Sequence, residues 1–317
     1  MKIIHFILLI LLSSLFLACE RKNNLQEFTP EIVNPSVNAP LSVKSPGELV
    51  RALKAVEPFF EPMGKPKPDE WLANFREDGQ TFEQYINGNP VLPTADQRTL
   101  YIQPLGKFDK NQQKTIELTA EYLRVFFNLP VKLLKQKTFA KPLASRNYRI
   151  NKFSKNMQIR TGYILDEVLQ PALLLDAAAL LAFTNEDLYP EDNVRYVFGQ
   201  ANFKNRVGIW SLFRLQKFAD FEQFLTRTLK IAVHETGHLF SFRHCTKYEC
   251  VMSGTNHLAE TSKRPIDACP ECMAKICWMT GYKPKNRYEN LAGFSKKSGL
   301  KKEFDEFERK EIAVSVY

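Results

Sequence analysis

The sequence predicts an α+β domain in which a mixed sheet lies over one long helix. Three observations point there. An apolar helical pattern begins near Asp220 and runs into two histidines; residues 195–203 and 207–215 read as a β-hairpin; and helical and strand-like patterns elsewhere are mixed, not strictly alternating. At 317 residues, 44% hydrophobic and with 24 phenylalanines, the chain is long enough for one large domain or two small ones. A single domain over residues 47–317 is the reading adopted here.

Residues 1–18 stand apart from that domain. Lys2 is followed by an apolar run from Ile3 to Leu17, broken only by His5, Ser13 and Ser14. Spanning a bilayer takes about 20 apolar residues, so the run suits the core of a signal peptide better than a membrane helix. It ends in Leu17-Ala18-Cys19 before a polar stretch, which resembles the lipobox of bacterial lipoproteins. That resemblance implies cleavage before Cys19, a lipid on its thiol, and an exported protein anchored to a membrane of the bacterial cell envelope. An ordinary secretory signal and a retained anchor are the alternatives. Residues 19–46, rich in Asn, Pro and Ser, read as an extended tether.

Along the domain, Leu49, Leu53 and Val56 fit a short first helix. Asp109 caps a predicted helix over 110–128, with Ile116, Ala120, Leu123 and Phe127 at helical spacing and Pro130 as its stop. A strand follows at 131–135, then a predicted helix over 157–169 ended by Pro171. Residues 174–184 are apolar enough for a buried strand, although their alanines keep helix open. The long helix from Asp220 buries Phe221, Leu225, Leu229, Ala232 and Val233. Residues 271–279 are predicted helical, and two polar amphipathic helices close the chain from about 286.

Four of the five histidines and five of the six cysteines fall between His234 and Cys277. On a helix, His234 and His238 are offset by about 40° around the axis and about 6 Å along it, so both can face one ion. His244 lies ten residues past His234 and would sit about 15 Å away on an unbroken helix. It joins them only if the helix ends soon after His238 and the chain folds back. Three protein ligands with one open position define a hydrolytic zinc site, and Glu235 would be the base taking a proton from a zinc-bound water. Met252, eight residues beyond His244, resembles the methionine found under the three-histidine site of metzincin metalloproteases, a likeness that implies packing and not ligation. His257 is left for an orienting hydrogen bond in preference to ligation.

Cys245, Cys250, Cys269 and Cys272 form two close pairs, which suits a closed structural zinc site. Disulfides are the competing account in an exported chain. The Cys-x-x-Cys spacing, and the position of Cys245 directly after His244, favour zinc. Cys277 is left as a small buried apolar residue. Two zinc ions are therefore expected, one catalytic and one structural. Because neighbouring side chains diverge, fixing Cys245 and Cys250 would pre-order His244 and Met252.

Taken together, these motifs resemble the archaemetzincins, or archaelysins, whose pattern joins a three-histidine zincin motif to a Cys directly after the third histidine, a Cys-x-Met and a Cys-x-x-Cys. The likeness covers roughly residues 55–295 and includes Asp69-Glu70-Trp71-Leu72, Gln80-Thr81-Phe82, Tyr101 to Gly106, the 187–199 region, Asn256-His257-Leu258 and Arg264-Pro265. It implies a zincin-like, metzincin-type fold and zinc-dependent peptide hydrolysis, with aminopeptidase-like activity. It assigns catalytic zinc to His234, His238 and His244, the base to Glu235, and structural zinc to Cys245, Cys250, Cys269 and Cys272. Ser241 departs from the family's usual glycine where the helix must reverse.

The expected partners are a peptide or protein substrate and a membrane, through the lipid on Cys19, with the protein a monomer. The net charge of +9, reduced by one when Lys2 leaves with the signal, is interspersed with acids as in 301–306, which describes a solvated surface. Nucleic-acid binding is not expected of an exported chain with helical histidines. The alternative to an enzyme is a catalytically weak, zinc-stabilised lipoprotein that binds peptides.

Overall fold

The computed structural model describes residues 46–139 and 143–316. The predicted signal peptide, the Cys19 lipidation site and the tether up to residue 45 lie outside the described residues. Among those described, no helix is long and apolar enough to cross a membrane.

In chain order, helix α1 (Pro46–Val56) leads through α2 (Trp71–Asn74) and α3 (Phe82–Asn87) to strand β1 (Thr99–Leu105). Helix α4 (Lys110–Phe127) starts as predicted at Asp109, whose carboxylate accepts from Gln112 N at 2.8 Å while Gln112 Oε1 accepts from Asp109 N. Strands β2 (Val131–Leu133), β3 (Tyr148–Ile150), β4 (Met157–Arg160), β5 (Ala177–Thr184), β6 (Asp187–Tyr189), β7 (Gly199–Asn202) and β8 (Val207–Ser211) follow. Helix α5 (Phe221–Leu239) carries the first two histidines, and α6 (Leu258–Lys263), α7 (Pro270–Thr280), α8 (Pro284–Ser298) and α9 (Lys301–Ser315) complete the chain.

The main sheet has the order β2-β1-β5-β8-β7, parallel except where β7 runs antiparallel to β8. Strand β5 lies at its centre and is buried along its whole length. Ala179, Leu181 and Phe183 face the core shared with α4 and α5, whereas Leu180 and Ala182 face a second core built on Tyr163, Ile164 and Leu165. Burial on both faces explains the apolar run over 177–184, whereas residues 174–176 are exposed and precede the strand. The predicted hairpin is present but shorter, with Gly199 paired to Trp210 and Asn202 to Val207.

The predicted helix over 157–169 is corrected. Its first third is strand β4, held between β3 and β6 in a separate three-stranded sheet. Gln158 Nε2 donates to Asp187 Oδ2 at 2.9 Å across that sheet, so long-range pairing overrides the helical spacing. Helix there is confined to residues 161–169, of which Tyr163–Leu169 is a π-helical segment. At the far end, the predicted C-terminal helices form as α8 and α9.

Candidate active site

Helix α5 positions the first two histidines. Asp220 caps it by accepting from Gln223 N at 2.8 Å, and Leu225, Leu229, Ala232 and Val233 bury its inner face. It stops one residue after His238, at Leu239. Ser241 N donates to His238 O and Phe242 N to Gly237 O, both at 3.0 Å, with Ser241 in the left-handed conformation at φ +65°. This is a Schellman closure, with serine in the position glycine usually takes. The cost of about 1–2 kcal/mol for a side chain there is offset by Ser241 Oγ, which accepts from Val91 N at 3.0 Å.

The reversal brings His244 back to the helix. His238 Nε2 lies 3.0 Å from His234 Nε2, which lies 3.2 Å from His244 Nε2. Each opposite ring nitrogen faces an acceptor. His234 Nδ1 donates to Val251 O at 3.0 Å, His238 Nδ1 to Phe242 O at 2.7 Å, and His244 Nδ1 to the Glu77 carboxylate at 2.9 Å. Burial pushes His234 well below the ordinary imidazole range and His238 down to about 4, with the neighbouring histidines adding to both shifts. In neutral rings whose protons sit on Nδ1, three Nε2 lone pairs converge with no proton between them. That arrangement is repulsive by itself and suits a cation. Tetrahedral zinc with bonds of about 2.0–2.1 Å would set its nitrogens about 3.3 Å apart, so the residues present fit the metal.

Glu235 follows His234 and lies under β7. A Cβ on Gly199 would stand 3.0 Å from Glu235 Cγ and 3.1 Å from its Oε1, so only glycine leaves the carboxylate this room. Burial pushes the Glu235 carboxyl up to about 8, a rise that a cation held by the neighbouring imidazoles opposes. A cleft of about 530 Å³ opens here, lined by Trp71, Tyr196, Phe198, Gly199 and the histidines with Glu235.

Met252 is buried beneath the histidines, with its sulfur against the Gly237 backbone. Its carbonyl accepts from Cys245 N at 2.8 Å, closing the loop between them. Cys245, Cys250, Cys269 and Cys272 are buried with their sulfurs within 4.8 Å of one another, and none of them forms a disulfide. Cys245 Sγ and Cys269 Sγ are 3.6 Å apart, far beyond a disulfide bond and close to the roughly 3.8 Å expected between thiolates on zinc. The three neighbouring sulfurs hold the Cys245 thiol far below its usual range, while burial pushes Cys250 and Cys269 up. Thiolates packed this closely and away from water repel one another unless a cation lies among them. Cys277 is buried outside this group, its thiol pushed up to about 12 by burial. His257 also stays outside the clusters: it caps α6, where its Nδ1 accepts from Glu260 N at 3.2 Å, and its Nε2 lies 3.2 Å from Asp69.

Comparison with known proteins gives this geometry its family. The chain is 31% identical over 276 residues to Archaemetzincin-2 of Macaca fascicularis, covering 76% of each chain. It belongs to the archaemetzincin family. The pattern of Peptidase family M54 matches residues 123–277, which contain every histidine and cysteine of the two clusters. Archaemetzincin of Archaeoglobus fulgidus is 30% identical over 177 residues, covering 56% of this chain and 98% of the relative. The crystal structure of that archaeal protein complexed with malonate aligns at a TM-score of 0.46 over 56% of this chain and 99% of its own. As an archaemetzincin, this protein is a zinc metallopeptidase, and its substrates are peptides.

Two features of the site were not legible in the sequence. Glu77 reaches His244 from 167 residues upstream, in a loop without periodicity, and nothing in the motif spacing pointed to it. Gly199 had only its place in the family-like Phe198-Gly199 segment to mark it.

Proposed function

We propose that this archaemetzincin hydrolyses peptides with Glu235 as general base, in an exported protein tethered by a lipid on Cys19. The observation that carries the chemistry is the convergence of three bare Nε2 atoms with the Glu235 carboxylate in the same cleft. The imidazoles of His234, His238 and His244 would hold a zinc ion, which when bound supplies Lewis-acid polarisation of a carbonyl and acidifies water. Cys245, Cys250, Cys269 and Cys272 would hold a second, structural ion.

The chain does the rest. Glu235, fixed on α5 and confined by Gly199, accepts the proton of the attacking water and returns it to the leaving amine. Among the described residues strand β7 pairs with β8 alone, so its other edge offers backbone groups to an extended peptide along the cleft. Trp71 and Phe198 line the wall against which side chains would pack. Peptide turnover by Glu235→Gln decides the matter. A fall of about 10²–10⁴-fold is expected, and a rate equal to wild type would leave a peptide-binding lipoprotein as the reading. Ser241 was the one feature favouring that alternative, and Ser241 forms the required turn.

The apolar run before Ala18-Cys19 supports export and lipid attachment. Metabolic labelling with a fatty-acid analogue should mark the wild type and spare Cys19→Ser. A single copy carries all the residues of both clusters, so we take the working unit to be a monomer, to be checked by sedimentation. Mass spectrometry of released products distinguishes trimming of one N-terminal residue from internal cleavage.

A further inference from the structure

His234 and His238 owe their orientation to backbone carbonyls of their own neighbourhood, Val251 O and Phe242 O. His244 does not. It stands in the loop beyond α5, and its Nδ1 finds its acceptor in the side chain of Glu77, both carboxylate oxygens lying at 2.9 Å. The Trp71 indole meets the same ring edge-on, with centroids 5.2 Å apart. Two side chains from one N-terminal segment therefore fix the third imidazole in rotation and in tautomer.

That segment is itself pinned at both ends. At one end, Trp71 N donates to both oxygens of Glu260 at 3.1 Å, and the indole lies so close on Gly254 that a Cβ there would fall 2.5 Å from Trp71 Cδ1. At the other, Gly79 adopts φ +72° directly against Thr246, where a Cβ would stand 2.4 Å from Oγ1. Gln80 then bridges the reversal after α5, its Nε2 donating to Ser241 O and its Oε1 accepting from Arg243 N, both at 3.2 Å. Lys275 Nζ donates to Gln80 O at 2.7 Å from below. Glu77 hangs between these anchors, and its carboxylate is held where His244 needs it.

We propose that Glu77 is a positioning residue of the metal centre: by accepting the Nδ1 proton of His244 it presents Nε2 to the ion and raises the basicity of that ligand, making residues 71–80 a working part of the site. A carboxylate behind a metal-bound imidazole fixes tautomer and ring orientation, and removing such a partner typically weakens metal binding by about 10–100-fold. The proposal rests on the reading that the three histidines hold zinc.

The test is competition for zinc between the purified full chain and a chromogenic chelator, run on wild type, Glu77→Ala, Glu77→Gln and His244→Ala. Two classes of ion are expected in wild type. Glu77→Ala should weaken only one class, by about 10–100-fold, and leave the cysteine-held ion in place. Glu77→Gln keeps the shape and an acceptor but loses the charge, so it should weaken the same class by a smaller factor and guards against a misfolded alanine variant. Cobalt loaded into the weakened class should show an altered visible spectrum in both variants, which a purely structural role would not produce. Binding by both Glu77 variants within about twofold of wild type, with His244→Ala defective, overturns the proposal alone. Two ions held as tightly by His244→Ala as by wild type would instead overturn the three-histidine reading beneath it.

Discussion

Met252 lies so close under Gly237 that no side chain fits between them: a Cβ on Gly237 would stand 2.6 Å from Met252 Sδ and 2.9 Å from its Cε. Gly237 sits on α5 between Glu235 and His238, so the methionine supports the helix at the level of the two histidines. Alanine at this position would gain up to about 1 kcal/mol of helix propensity. It would also force the sulfur away in a packed core, at about 1–3 kcal/mol. Gly237→Ala is therefore expected to lower stability by about 1–2 kcal/mol and to speed zinc loss, read by urea unfolding and by chelator-driven release. A stabilised variant would mean that the loop yields without cost.

Ser241 tests whether serine at the reversal is a handicap. Glycine would relieve the left-handed strain but would lose the bond from Val91 N to Ser241 Oγ. The two effects are of similar size, so Ser241→Gly should change stability by less than about 1 kcal/mol. Ser241→Val places a β-branched side chain at φ +65°, and should cost more than about 2 kcal/mol and weaken zinc binding through His244. Equal unfolding midpoints for the valine variant and wild type would show that the turn tolerates any residue.

Coupling between the two clusters runs through backbone. Cys245 follows His244 directly, Cys245 N donates to Met252 O at 2.8 Å, and Met252 N donates to Cys250 Sγ at 3.4 Å. An ion on the four thiolates would therefore fix both the third histidine and the methionine before the catalytic ion arrives. Cys269→Ser removes a sulfur that lies 3.6 Å from that of Cys245, and is expected to weaken catalytic-zinc affinity by about tenfold. Unchanged affinity in that variant would separate the two sites.

How far the site was readable from sequence follows from where each contact originates. His234, Glu235 and His238 share one helix, whose period alone puts the histidines on one face, and Asp220 and the buried stripe announce that helix. The fold-back to His244 was forced by distance, because ten helical residues are too long for one ion. Strand β4 was misread because Met157–Arg160 depends on β3 and β6, partners that local spacing does not encode. Strands β1, β3 and β6 were missed as elements for the same reason, two of them being three residues long. Glu77 escaped because its role is defined by a partner far along the chain and by no pattern of its own.

Acid should unfasten the C-terminal helices from the cysteine loop. Asp267 is buried and accepts from Arg287 Nη2 on α8 at 2.8 Å and from Lys310 Nζ on α9 at 3.0 Å, while its carbonyl accepts from Val251 N at 3.1 Å. Burial acts to raise its carboxyl, but Lys310 and Arg287 outweigh it and hold the group below the ordinary aspartate range. A carboxylate with a depressed native pKa contributes stability that is fully present above its unfolded pKa of about 3.9, and that is lost as pH falls through the native value. Urea midpoints should thus show no contribution from this group to pH dependence between about pH 7 and 5, and a decline below about pH 4. Asp267→Asn leaves two buried cations without their counter-charge and should cost about 3–5 kcal/mol at neutral pH. It should also flatten the decline below pH 4, because the titrating group is gone. Should the variant keep the acid slope of wild type, the carboxylates responsible would lie elsewhere, and the clasp between α8, α9 and the loop at Val251 would have to be independent of charge.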